Sequence, residues 1–183
     1  MPGEIMDLLW HPDIHVPERA VTVILGPPQI LAGAMDHGHR TMQRYPFLYV
    51  CGNYSQVLPL LHRTTGGFSV RRGFTSDQLS TIVSECDATY LVIEHDTTLY
   101  EDDRRLIPVI VNKIQRYART EGTAIVYSHR ADPFMRQVIR SAQRVYLYAD
   151  WTQVIRAHWM KQEQAGNGRG TGITRQVRFD AFR

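Results

Sequence analysis

Only two cysteines, Cys51 and Cys86, occur in the 183 residues. Both fall in apolar surroundings that read as a strand and a helix, which argues against a disulfide framework or a metal knuckle. Lysine is almost missing: Lys113 and Lys161 are the only ones among 21 Lys+Arg. Arginine suits bidentate contacts with phosphate or carboxylate, and a compositional bias of the source genome gives the same excess. No window reaches the roughly 18 consecutive apolar residues of a membrane span. Glu4 and Asp7 stand where a signal peptide carries basic residues. The expectation is a cytoplasmic protein with no membrane partner.

What is present suits one globular domain, since 43% of the residues are hydrophobic and a chain of this size buries most of its apolar surface. The formal charge of +3 is unevenly placed: residues 1–150 carry a net −1 and residues 151–183 a net +4. The basicity therefore lives in the tail. Residues 1–19 read as a lead-in, a short helix or turn and then irregular chain. Residues 20–183 read as a single core.

Within that core, Val21–Leu25 is the first buried strand, followed by a helix over Gln29–Met42 that Gly33 and Gly38 weaken. Phe47–Cys51 is the second strand, with a short amphipathic helix around Val57–Leu61. Phe68–Arg72 is a short extended segment. Thr75-Ser76-Asp77-Gln78 has capping-box spacing before a helix with Leu79, Ile82, Val83 and Cys86 on one face. Tyr90–Ile93 is a continuous apolar run ending in Glu94-His95-Asp96, as a strand buried on both faces requires. A helix over Asp102–Thr120 tolerates Pro108 only near its start. Ala124–Tyr127 is the next strand, and Asp132-Pro133 has N-cap and N1 chemistry for a helix to about Ala142. Val145–Tyr148 is a further strand. Val154–Lys161 and Ile173–Phe179 read as an antiparallel hairpin, placed at 152–180, around a glycine-rich loop.

Alternating strands and helices predict an α/β fold with a mainly parallel sheet covered by helices on both faces, closed by that C-terminal antiparallel β-hairpin. The turn Gly26-Pro27-Pro28-Gln29 after the first strand stands where a phosphate-binding loop would. Counted from Gly26, the lysine and hydroxyl positions of G-x-x-x-x-G-K-[ST] are Ala32 and Gly33, so the charge on the phosphates and the Mg²⁺ ligand are missing.

Taken in order, these stretches resemble the RecA/RadA recombinase family of ATPase-fold proteins. The matching pieces are Val21–Pro28 as the P-loop strand, Phe47–Asn53 as the next, and Val70–Leu79 before a helix. Tyr90–Glu94 matches the Walker B strand, Ala124–Ser128 the one after it, and His158-Trp159-Met160-Lys161 the closing hairpin. The resemblance implies a degenerate nucleotide loop at Gly26, Pro27, Pro28, Gln29, Ala32 and Gly33, with Glu94 and Asp96 as the Walker B-like acids. Asn53 replaces the water-activating glutamate and cannot serve as a general base. The implied protein is a catalytically inactive binding or accessory module in DNA recombination or repair, with no cofactor and Mg·ATP not expected as one. Its implied partners are single-stranded DNA, a RecA-fold recombinase or another repair protein, or a second copy as a homodimer. Two alternatives are a nucleotide-binding ATPase with a non-standard phosphate site and a KaiC-like regulatory or assembly protein that binds no nucleic acid.

Three further groups invite function. Arg136, Arg140 and Arg144 recur at four-residue spacing as a basic stripe on the helix before Val145, where phosphates could be held; charge stripes are usually solvated faces. Arg156, Lys161, Arg169, Arg175 and Arg178 are interleaved with Trp151, His158 and Trp159, a mixture that suits single-stranded nucleic acid or a protein partner. His11, His15, His37 and His39 have ligand-like spacings, but no cysteine joins them and no metal site is expected.

Overall fold

The computed structural model describes residues 8–11, 13–100, 104–148 and 174–175. A hairpin of β1 (Leu8–His11) and β2 (Ile14–Val16) precedes β3 (Val21–Leu25), α1 (Pro28–Met42), β4 (Phe47–Cys51) and β5 (Ser69–Arg72). Then follow α2 (Ser76–Ser84), β6 (Tyr90–Glu94), α3 (Leu106–Thr120), β7 (Thr123–Ser128), α4 (Pro133–Ser141), β8 (Arg144–Leu147) and β9 (Thr174–Arg175). Strands β3 to β9 form one sheet in the order β5-β4-β6-β7-β3-β8-β9. Every neighbouring pair in it is parallel. This is the mainly parallel α/β architecture that the strand–helix alternation predicts.

Strands β3, β4, β6 and β7 are buried along their whole length, which is why their sequences run apolar without a polar face. Alternation within them sorts side chains between two cores. Val23, Leu25, Leu91 and Ile93 pack with Leu79, Ile110, Ile114 and Val138 from α2, α3 and α4. Ile24, Tyr49, Tyr90 and Val92 pack with Leu31 and Met35 from α1 and with Trp10 and Ile14 from the hairpin. Helices thus cover both faces.

The helix starts follow their caps. Thr75 accepts from the Gln78 N–H at 3.2 Å while Gln78 Oε1 accepts from the Phe74 N–H at 2.8 Å, a reciprocal arrangement close to the capping box. Asp132 accepts from the Met135 N–H at 2.8 Å with Pro133 opening α4. Pro108 lies in the first turn of α3, where its missing N–H has no partner to lose.

Several expectations need correction. Within the lead-in, Leu8–His11 and Ile14–Val16 pair as antiparallel strands rather than forming a helix or irregular chain, and Trp10 is fully buried. A Cβ on Gly38 would lie 2.1 Å from Trp10 Cδ1, so the glycine that weakens α1 is what lets the indole seat against it. Tyr146 anchors the same hairpin, its hydroxyl donating to the His15 carbonyl and accepting from the His15 N–H, both at 2.8 Å. The segment around Val57–Leu61 is a 3₁₀ turn at Leu58–Leu60. Of the expected C-terminal hairpin, residues 152–173 and 176–180 lie outside the described residues. Thr174 and Arg175 pair with Arg144 and Val145 in parallel. Among the described residues no helix is long and apolar enough to cross a membrane.

Candidate binding cleft at the carboxyl end of the sheet

Strand order decides where a ligand can enter. From β4 the chain steps outward to the edge strand β5, whereas from β6 it steps the other way to β7. Loops that diverge in this way leave a crevice outside the carboxyl ends of the strands, the usual ligand position of open α/β sheets. A cleft of about 330 Å³ lies there. Gly52, Asn53, Tyr54 and Gln56 line it after β4, Glu94 to Thr98 after β6, and Tyr127 and His129 at the end of β7, with Phe74 closing one side.

Glu94 is buried at the floor, and donors converge on both of its oxygens. Oε2 accepts from the hydroxyls of Tyr49 at 2.6 Å and Ser55 at 2.5 Å, while Oε1 accepts from the Gln56 N–H at 2.7 Å. The Ser55 hydroxyl in turn accepts from the Leu58 N–H at 2.9 Å, so the carboxylate fixes the 3₁₀ turn after β4. Burial, the Glu94 charge and the hydrogen bond to it push the Tyr49 phenol far above its ordinary pKa. No local pattern marks these donors, because they lie 38 to 45 residues away.

Asp96 is half-buried. Its Oδ1 accepts from the Thr98 N–H at 3.0 Å and the Thr98 hydroxyl at 2.7 Å. Its Oδ2 lies 2.1 Å from where a Cβ on Gly52 would sit, so only glycine at 52 leaves room for this carboxylate. Asn53 is exposed, and its carbonyl, with that of Gly52, accepts from Arg72 Nη1 at 2.7 and 3.3 Å.

His95, the middle residue of the strand end, points elsewhere. Its Nε2 lies 2.7 Å from Asp132 Oδ2, and its ring stacks on Phe134 with centroids 4.5 Å apart. The N-cap of α4 is thereby tied to β6. Burial pushes the Asp132 carboxyl up, but the His95 imidazole, by hydrogen bond and charge, and the Met135 N–H outweigh it and hold the pKa below its ordinary value. His129, beside the cleft, is held below the usual imidazole value by burial and by Arg130 and His95.

The turn predicted as a degenerate nucleotide loop is placed outside this cleft. It consists of Gly26 and Pro27 between β3 and α1, and Pro27 and Pro28 have no N–H to offer a phosphate. The Gly26 N–H donates to Ser128 O at 3.2 Å, and the Gly26 carbonyl accepts from the Tyr127 hydroxyl at 3.1 Å. A Cβ on Gly26 would lie 2.8 Å from Tyr148 Cβ. Gln29, Ala32 and Gly33 lie within α1 rather than in a loop, and Ala32 is buried. The seam between β3 and β7, the second place where connections diverge, is therefore bonded shut. These residues do not fit Mg·ATP: Pro27 and Pro28 lack N–H groups, Ala32 stands where the motif has lysine, and Glu94 already accepts from three donors.

The basic stripe is shorter than expected. Arg136 and Arg140 lie exposed on α4, but that helix ends at Ser141 and Arg144 belongs to β8. Arg175 lies in β9. Arg156, Trp159, Lys161, Arg169 and Arg178 fall outside the described residues, as do Trp151 and His158. Among the described residues no group of His, Cys, Asp or Glu is placed to hold a metal ion, His15, His37 and His39 included.

Fold and cleft together define an open parallel α/β sheet protein with a crevice at the carboxyl end of the sheet. No family model matches the chain. An uncharacterized protein of Archaeoglobus fulgidus is 46% identical over 66 residues, which are 36% of this chain and 32% of that protein. The chain spans about a third of the length of that relative.

Proposed function

We propose that this chain is a catalytically inactive RecA/RadA-like module that binds rather than reacts, as an accessory in DNA recombination or repair. The observation that carries the proposal is the engagement of Glu94, whose two oxygens accept from Tyr49, Ser55 and Gln56. An acid held in that way positions a loop and is not open to a metal-bound water. The closed seam at Gly26 supports the same conclusion, because phosphoryl transfer is almost entirely positioning and electrostatic stabilisation of the phosphates. The resemblance in strand order, with Ala32, Gly33 and Asn53 where chemistry needs Lys, Ser/Thr and Glu, supplies the class. Single-stranded DNA, a RecA-fold recombinase or another repair protein are the partners it suggests, with a second copy of the chain as a further one.

Two measurements on the full chain test this. Calorimetric titration with Mg·ATP is expected to give no turnover, and turnover removes the proposal. Retention of single-stranded DNA is expected at low salt and to weaken as salt rises, since phosphate contacts release counterions. No retention at low salt leaves a protein partner alone.

A further inference from the structure

The cleft between β4 and β6 has a rim that a folded chain has no internal reason to build. Tyr54 is 90% exposed and Phe74 is 51% exposed, and both line this one cleft. Among the described residues no other aromatic is exposed to this degree; Leu60, Val70 and Val109 are the remaining exposed large hydrophobic residues there. Two aromatic faces open to solvent over a polar floor form a surface that gains free energy when covered.

The charge of the lining selects what covers it. Glu94 and Asp96 are in the lining, and among the described residues no Lys or Arg is. Arg72 approaches from outside, with Nη1 bonded to the carbonyls of Gly52 and Asn53. Of the two histidines in the lining, His95 has its Nε2 engaged with Asp132, and His129 is held below the usual imidazole value. Asp96 Oδ1 takes both bonds from Thr98, while Oδ2, over Gly52, accepts no hydrogen bond among the described residues. A phosphate in this cleft meets two carboxylates and no cation. A positive group meets an open carboxylate oxygen and the faces of two rings, the arrangement that favours cation–π binding.

Resting on the binding-module reading above, we propose that this cleft receives an organic cation, an alkylammonium or guanidinium group. The group is either free or at the end of a partner's Lys or Arg side chain. Asp96 Oδ2 accepts its N–H, and Tyr54 and Phe74 cover its alkyl or planar part. The volume of about 330 Å³ falls at the small end of ligand sites, large enough for one such side chain.

The test is a titration of the ¹⁵N-labelled full chain followed by NMR, with agmatine as the free cation, the tripeptide Gly-Arg-Gly as the side chain, and adenosine and inorganic phosphate as controls. Saturable shifts at the amides of residues 53–56 and 97–98 are expected with agmatine or the tripeptide and not with phosphate. The tighter of the two identifies the source. Tyr54→Ala, at a position too exposed to disturb the fold, is expected to weaken binding about two- to fivefold. Asp96→Asn is expected to weaken it about tenfold or more, as loss of a charged acceptor does. No saturable shift with either cation overturns the proposal, as does binding that Asp96→Asn leaves unchanged. Adenosine binding as tightly as agmatine also overturns it, because a neutral ring needs the aromatics and not the carboxylate. A silent cleft in a chain that retains DNA and does not turn over ATP removes this assignment alone. ATP turnover removes the binding-module reading whatever the cleft does.

Discussion

Gly33→Ala and Gly38→Ala are the same chemical change in the same helix, and the structure gives them opposite signs. Both positions lie within α1, where Ala is favoured over Gly by about 1 kcal/mol. A Cβ at Gly33 meets nothing within 4 Å, so the substitution is expected to stabilise by that amount. At Gly38 the new Cβ lies 2.1 Å from Trp10 Cδ1 and 2.4 Å from Nε1, far inside contact distance. Trp10 is 0% exposed and packs against Phe47 with centroids 5.9 Å apart, so a small rotation offers no relief. Displacing the indole approaches the cost of deleting it, about 3–5 kcal/mol. With the helix gain subtracted, Gly38→Ala is expected to lose about 2–4 kcal/mol. Urea unfolding followed by far-UV circular dichroism measures both. Equal shifts of the same sign would refute the seating of Trp10 against α1, as would a Gly38→Ala protein as stable as wild type. Gly33→Ala should leave Mg·ATP titrations unchanged, since position 33 is a helix residue here and not a loop hydroxyl site.

Glu94→Ala leaves the buried Tyr49 hydroxyl and the Gln56 N–H without their acceptor and is expected to cost about 2–4 kcal/mol; Glu94→Gln, which keeps an acceptor, should cost less in the same denaturation series. An ATPase activity lost in Glu94→Gln would instead mark an enzyme. Because the folded-state pKa of Asp132 is depressed, its stabilisation is present above the unfolded value of about 3.9 and is lost as pH falls through the folded pKa. Asp132→Ala is expected to lower stability at neutral pH by about 0.5–2 kcal/mol through the lost N-cap and to flatten the acid limb of a stability–pH profile. Tyr146→Phe removes both bonds to His15 and is expected to cost about 1–3 kcal/mol, with hydrogen exchange rising across residues 8–16 before the rest of the sheet.

The periodicity carried the fold because it reports burial. Tyr90–Ile93 and Ala124–Tyr127 read as continuous apolar runs, and the structure buries both on two faces. Caps were equally legible, since Thr75 with Gln78 and Asp132 with Met135 act over three residues. What was not legible acts over long separations. The lead-in lacks strand-length apolar alternation, and it is a hairpin because α1 offers Trp10 a seat at Gly38 and because Tyr146 holds His15 across 131 residues. The stripe Arg136, Arg140 and Arg144 kept perfect helical spacing across a helix end. Ala142, whose backbone is extended, breaks it.

The same distinction separates the motif from the candidate site. In the sequence the strongest functional feature is the turn at Gly26-Pro27-Pro28. In the fold that turn is joined to β7 by Gly26 to Ser128 and by Tyr127 to Gly26, the latter across 101 residues. At two neighbouring strand pairs of the sheet, β3 with β7 and β4 with β6, the connections that follow leave in opposite directions. Here one of them is closed by the bonds that Gly26 makes with Ser128 and Tyr127, and the other, between β4 and β6, is left open and rimmed with Tyr54 and Phe74. Tyr127 sits at both, its hydroxyl closing the first while the residue also lines the second. The closed turn at Gly26 and the open cleft thus meet at one strand end, and closure of the first leaves the second accessible.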